Sequence, residues 1–512
     1  MFQCVQLSAS LENSRVLFPP FDLSLKEKDR LAIIAEEGNG KSTLLKIISN
    51  IPCDYVHVFG KIISNYKVAY LPQTIEQKWN TSFPLDFLLK ENPEDEILPE
   101  KYNLCQKLEN LCSSMYIDSD FIYIERPICT LSGGEKVRLQ FLKLTLNEAD
   151  LYCLDEPTND LDIDTLEWLE KWILSRKEPI IYISHDITLL TNTATRILHL
   201  EQRNKKSKPV ITLFNGTYQD YIDTRYHQHE KDIQIGVNKK REYMKQKQRL
   251  NNLHNKVQSD LRNVSRQAPQ VAKNLKDKMR SVKSSQANLE AKAYPKIDSF
   301  EEEINIFFSV DPLPPSKIII NQHQKNISID NKTLIEPFNL EVYGKDKLVI
   351  TGKNGCGKSL WMKETITDLQ TRDDIKLGYM PQNYSDFFKK DDTPISFLKE
   401  DGISYTDIQT MLGSLKIIES EMNQNIFDCS LGQQAKIYLA KLILNKCNVL
   451  FLDEPSRNLS PLSQPVLIQA LKDFKGCIVC ISHDRTLIHE VFTRKILIEN
   501  KTWKEVTINQ DF

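Results

Sequence analysis

The chain has 512 residues, 40% of them hydrophobic, which suits roughly two to four domains with sizeable cores. Its formal charge of −2 hides a segregation: residues 225–296 hold eighteen Lys plus Arg against six Asp plus Glu, a local +12 that leaves −14 on the remainder. No segment approaches ~18 apolar residues without charge, and the first ten residues lack a basic run followed by an apolar one, so neither a membrane span nor a signal peptide is expected. Eleven cysteines without regular spacing fit reduced thiols in a cytoplasm.

The first stretch with chemical meaning is an apolar strand at 31–34. It runs into Ala35, Glu36, Glu37, Gly38, Asn39, Gly40, Lys41, Ser42 and Thr43, and then a helix at 44–49. Strand, Gly-rich loop and helix in this order form a phosphate-binding loop. Its backbone N–H groups and helix N-terminus cradle phosphates, the lysine meets the β/γ oxygens and the serine hydroxyl goes to Mg2+. Ala35 stands where a leading glycine is expected, which costs little if its φ is negative. A short strand at 68–72 ends in Gln73, and Ser132, Gly133 and Gly134 follow. Asp155 and Glu156 come after the apolar strand 151–154, and His185 closes another apolar strand.

The basic stretch comes next and predicts an antiparallel helical hairpin. Leu250, Leu253, Val257 and Leu261 recur at steps of three and four, as do Val271, Leu275, Met279 and Val282, with Leu289 a heptad further on. Pro269 disfavours helix continuation and predicts a tip at 263–270. A first helix starting near Tyr221 would reach roughly 60 Å at about 1.5 Å per residue. One reading is a solvated spacer between two domains. The other is a probe that enters a polyanion, favoured by the one-sided charge.

The second half repeats the first. Residues 347–350 run into Gly352, Lys353, Asn354, Gly355, Cys356, Gly357, Lys358 and Ser359, a full GxxxxGK[ST]. Gln382 follows a strand at 377–381, and Ser430, Leu431 and Gly432 match the earlier Ser-Gly-Gly. Asp453 and Glu454 end the strand 449–452, and His483 answers His185. In both halves the aspartate lies 23 residues past the serine, and the histidine 29 past the glutamate. Two shared spacings establish an internal repeat. Cys477 and Cys480 form a CxxC inside the apolar run 477–481, with no second pair elsewhere; a core strand is the plainer reading than a metal or redox pair.

These motifs, over nearly the whole chain, resemble the ATP-binding cassette superfamily. The resemblance implies an α/β fold of two tandem P-loop NTPase cassettes (1–222 and 317–512) joined by an α-helical coiled-coil hairpin (223–300). It implies a monomer whose cassettes pair head to tail around two ATPs. Each site would join one Walker A loop to the other cassette's signature (Ser132, Gly133, Gly134; Ser430, Gly432). Ser42, Gln73, Asp155, Ser359, Gln382 and Asp453 would hold Mg2+. Glu156 and Glu454 would polarise the attacking water, and His185 and His483 would contact the γ-phosphate. The D-loop, Pro157 to Asp162, has a partner ending in Ser460, and Leu431 replaces a signature glycine, so the site on Lys41 is expected to close less tightly. Leu11 and Ile329 stand where an adenine-stacking aromatic is usual, which implies weak base selectivity.

Two cassettes with a long hairpin and no membrane span resemble the ABC-F proteins, as does the run from Phe214 to Tyr221. The resemblance implies a cytoplasmic ATPase on the bacterial ribosome, with the hairpin in the tRNA exit site beside P-site tRNA and 23S rRNA. Antibiotic-resistance members protect ribosomes from drugs at the peptidyl-transferase centre or tunnel entrance; housekeeping members act as translation factors. Gln73 to Ser132 spans 59 positions and Gln382 to Ser430 spans 48, so an inserted arm of the housekeeping kind has little room, and the resistance type is expected. A chromosome-organising ATPase would need a longer coil between half-heads. A transporter subunit would have no place for the basic hairpin.

Overall fold

The computed structural model describes every residue except 12–14, 37, 99–100, 102, 116, 160, 204–207, 264–268, 292–303, 309, 311, 330–331 and 509–512. It forms two compact units, Met1–Tyr218 with Glu303–Phe512 and, separately, Gln219–Glu302.

The first half of the larger unit contributes β1 (Phe2–Leu11), β2 (Val16–Leu25), β3 (Arg30–Ala35), β4 (Val56–Ser64), β5 (Val68–Leu71), β6 (Leu151–Asp155), β7 (Ile180–Ile183), β8 (Arg196–Gln202) and β9 (Lys208–Asn215). The second contributes β10 (Ile318–Ile329), β11 (Lys332–Tyr343), β12 (Lys347–Gly352), β13 (Leu377–Met380), β14 (Val449–Asp453), β15 (Cys477–Ile481), β16 (Arg494–Glu499) and β17 (Thr502–Val506). Their main sheets have matching orders, β5-β6-β7-β3-β8-β9 and β13-β14-β15-β12-β16-β17. Only the last pair of each is antiparallel. The repeat read from motif spacing is therefore a repeat of topology.

Parallel strands covered on both faces need side chains that are apolar throughout. Every residue of β3, β6, β14 and β15 is buried accordingly. Cys477 and Cys480 lie in β15, three residues apart, so they face opposite sides of the sheet. Each belongs to a different core cluster, and burial pushes both thiols up. They are core residues.

The smaller unit is built from helices Tyr218–Asn263 and Pro269–Ala291. The first starts three residues before the expected Tyr221, and its 46 residues reach roughly 70 Å at about 1.5 Å each. Pro269 opens the second helix, where its missing N–H costs no hydrogen bond; most of the expected tip, 264–268, lies outside the described residues. Gln286 Nε2 donates to Asn251 Oδ1 at 3.0 Å across the hairpin. Val257 and Val282, 2% and 3% exposed, fill the seam. Two expected seam residues are not in it: Leu253 is 40% and Val271 51% exposed. With Leu250, Val257 and Leu261 on one line, 3.6 residues per turn places His254 about 40° from it and Leu253 about 60°, and the half-buried His254 takes the place. Val271 falls in the opening turn of its helix. Among the described residues no helix is long and apolar enough to cross a membrane.

Candidate functional site

Each half presents the same strand-to-helix turn. β3 ends at Ala35 before helix Lys41–Ile48, and β12 ends at Gly352 before helix Lys358–Leu369. Gly40 (φ 86°) and Gly357 (φ 101°) precede these helices in the left-handed region, which a side chain would strain. A Cβ added at Gly38 or Gly355 would meet nothing within 4 Å. The loop backbone thus faces open space at the place where phosphates would rest. Lys41 and Lys358 are 8% and 7% exposed. Lys41 Nζ donates to Ala35 O at 3.0 Å, and Lys358 Nζ to Lys353 O at 3.0 Å and to Gly352 O. Buried ammonium groups beside such a cradle fit a polyphosphate. Ala35 is paired with Leu200 as the last residue of β3 and has no positive φ. Gly352, at φ 148°, would bring a Cβ to 2.5 Å from Ile498 O. The alanine is accommodated in one loop and would not be in the other.

Ser42 Oγ donates to Asp155 Oδ1 at 3.0 Å, and Ser359 hydrogen-bonds Asp453. Among the described residues no group of three or more His, Cys, Asp or Glu could hold a metal. A hydroxyl and one carboxylate are instead the donors that suit Mg2+, which keeps waters and shares substrate phosphates. The residues fit that ion. Tyr70 OH donates to Asp155 Oδ2 at 3.0 Å and fixes the carboxylate.

The residue after each aspartate is a glutamate in the left-handed region, Glu156 at φ 49° and Glu454 at φ 52°. Such backbone costs about 1–3 kcal/mol and collects at functional sites. Gln73, Asn159 (2.8 Å) and His185 Nε2 (3.3 Å) surround the Glu156 carboxylate. Burial pushes this carboxyl up, but His185, Lys41 and Asn159 outweigh burial and hold it below the usual carboxylate range. Glu454 is held differently: burial and the neighbouring Asp453 push it up to about 8. His483 Nε2 lies 3.8 Å from it, and both ring nitrogens of His483 lack a hydrogen-bond partner among the described residues. Burial and Lys358 push that imidazole down to about 4.

Ser132 and Ser430 are the N-caps of helices Gly133–Leu146 and Leu431–Leu444, each with a capping box, to Glu135 and Gln433. Leu431 enters its helix without strain and is 56% exposed; Gly432 behind it is buried. The halves meet directly. His185 Nδ1 donates to Leu459 O at 2.9 Å, Gln464 Nε2 to His185 O at 2.8 Å, and Lys436 Nζ lies 2.7 Å from Glu36 Oε2. A cavity of about 640 Å3 joins Lys358, Ser359, Asn354 and Gln382 of the second half to Ser132 and Gly133 of the first, a volume suited to a nucleotide.

Asn39 Nδ2 reaches Leu200 O at 3.4 Å, and Thr43 Oγ1 lies 3.4 Å from Tyr55 OH. Leu11 ends β1, half-buried. Glu37, Asp160 and the Ile329 side chain lie outside the described residues. Sequence reasoning missed Tyr70, Lys436, Ser463 and Gln464, and did not place Asn159 at the glutamate. Tyr70 had a signal: Tyr379 occupies the matching place in β13. The cross-half partners had only the repeat register, six residues past each signature serine for Arg138 and Lys436.

Two phosphate loops, each with a Ser–Asp pair and a strained glutamate, in halves that meet across a composite cavity, define a pair of ATP-binding cassettes. A family model described as ABC transporter matches residues 18–159 and 335–457, more than half of the chain, and the chain belongs to that family. It is 27% identical over 561 residues to YdiF of Bacillus subtilis, covering 100% of this chain and 82% of that one. It is 25% identical over 524 residues to ABC transporter F family member 2 of Arabidopsis thaliana, covering 93% and 73%. The fold matches a chain in the crystal structure of the complex of archaeal ribosomal stalk protein aP1 and archaeal ribosome recycling factor aABCE1, with TM-score 0.61, 17% identity, and 98% and 89% of the two chains covered.

Proposed function

We propose that this chain is a cytoplasmic ATPase of the ABC-F type that binds the bacterial ribosome and protects it from antibiotics at the peptidyl-transferase centre or tunnel entrance. The observation that carries the reading is the helical hairpin between the cassettes, whose stretch 225–296 bears +12. Such charge suits RNA phosphates, and displaced counterions would supply much of the affinity. The ribosomal setting of the archaeal neighbour supports the same partner, and the F-family relative supports the ABC-F type.

Lys41 and Lys358 would take the β/γ-phosphates of ATP, and Ser132 and Ser430 would close on them from the opposite cassette. Mg2+ held by Ser42 with Asp155 and by Ser359 with Asp453, with Gln73 and Gln382 beside them, would neutralise the phosphoryl oxygens. Glu156 and Glu454 would orient the attacking water, and His185 and His483 would face the γ-phosphate. Closure would set the hairpin, residues 223–300, in the tRNA exit site beside P-site tRNA. There the tip at 263–270 would reach 23S rRNA and displace the drug.

Expression in a sensitive bacterium tests this directly. Raised minimal inhibitory concentrations for at least one of lincosamide, pleuromutilin, streptogramin A, macrolide or phenicol are expected. Unchanged susceptibility with an altered polysome profile would replace this reading by a translation factor on stalled or initiating ribosomes.

A further inference from the structure

The two composite sites are stitched together unequally. At the first, Glu36 leaves its own phosphate loop and enters the second cassette. Its Oε2 lies 2.7 Å from Lys436 Nζ, and its Oε1 accepts from Ser463 Oγ at 2.9 Å and from Ser460 Oγ. Lys436, Ser460 and Ser463 are all buried, at 5%, 0% and 2% exposed. The same site holds the His185–Leu459 and Gln464–His185 bonds.

The register of the repeat gives the counterparts at the second site, and none of them can make these links in the same way. Lys353 stands where Glu36 does and is exposed. Asp162 replaces Ser460 and is engaged within its own cassette, accepting from Thr165 N at 3.0 Å and lying 3.9 Å from Arg138. Leu166 replaces Gln464 and has no side-chain amide to donate. His483, the counterpart of His185, has no hydrogen-bond partner at either ring nitrogen among the described residues. The cavity of about 640 Å3 lies on this second site. The departure at Ser460 is thus one member of a coordinated exchange: a carboxylate has moved from the D-loop of one cassette to the phosphate loop of the other.

We infer that Glu36 is a cross-cassette latch, which pairs the first phosphate loop with Lys436, Ser460 and Ser463 and keeps the cassettes joined at that site without nucleotide. Nucleotide-driven opening and closing then falls to the second site. Removing one partner of a buried ion pair strands the other, so Glu36→Lys sets two ammonium groups against each other. Lys436→Glu added to it restores an opposite-charge pair across the cassettes with its two ends exchanged. The inference needs only the paired cassettes and no partner of the hairpin, so it stands or falls separately from ribosome binding.

Hydrogen exchange on the nucleotide-free full chain tests it. In Glu36→Lys, amides of 459–467 and of the first turn of Leu431–Leu444 should exchange at least tenfold faster, with β12 and β14 still protected. Glu36→Lys with Lys436→Glu should return them to within about threefold of the unaltered chain, a rescue that lost packing alone could not give. If Glu36→Lys also exposes β12 and β14, Glu36→Gln takes its place, with local exchange at least threefold faster and the strands intact. Unchanged exchange in the single variants, or no recovery in the double, overturns the latch.

Discussion

Asp155 shows how few groups hold a site in place. Ser42 and Tyr70 each take one of its oxygens, and loss of such an outer partner usually costs about ten- to a hundredfold in metal affinity. Tyr70→Phe should therefore raise the Mg2+ concentration for half-maximal ATP turnover about tenfold, read from a Mg2+ titration. At the leading loop position, Gly352→Ala should destabilise the fold, because the new Cβ would meet Ile498 O at 2.5 Å and φ is 148°. Ala35→Gly should cost only about 0.5–1 kcal/mol, from backbone entropy in a strand; urea unfolding of the two variants compares them. His483 carries a pH signature. Its imidazole is pushed down to about 4 from an ordinary 6.5 by burial and Lys358. Between those values the unfolded chain binds the proton that the folded chain refuses, so the contribution of this group to stability falls as pH drops through the window, by roughly 3 kcal/mol in all, while the raised Glu454 carboxyl contributes with the opposite sign. His483→Asn should remove this loss, so that the melting temperature at pH 5 relative to that at pH 6.5 is higher than in the unaltered chain.

The helical and sheet elements were legible to different depths. β3, β6, β14 and β15 declared themselves as continuous apolar runs, and glycine spacing placed both phosphate loops. The hairpin seam was legible only in part, because steps of three and four cannot distinguish Leu253 from His254 at its edge, and hydropathy favours the wrong one. Val257 and Val282 should therefore matter far more than Leu253. Val257→Ala or Val282→Ala should cost about 1–3 kcal/mol of hairpin stability, and Leu253→Ala at 40% exposure should stay within about 0.5 kcal/mol. Helicity at 222 nm against urea separates them. Contacts such as Glu36 with Lys436, 400 residues apart in sequence, carry no local period at all; only the shared register of the two halves points to them.

On the scale of the molecule, a chain of net charge −2 keeps +12 in one segment. Ribosome binding should accordingly weaken steeply between 50 and 200 mM salt, by about 10³-fold or more if six or more phosphates are engaged. The most direct test of the whole account is co-sedimentation of the Glu156→Gln, Glu454→Gln double variant with ribosomes in the presence of ATP, with and without residues 223–300. Trapped binding by the full chain, lost when a short flexible linker replaces the hairpin, is the predicted result. Equal binding by the hairpin-less chain, or none by the full one, would contradict it.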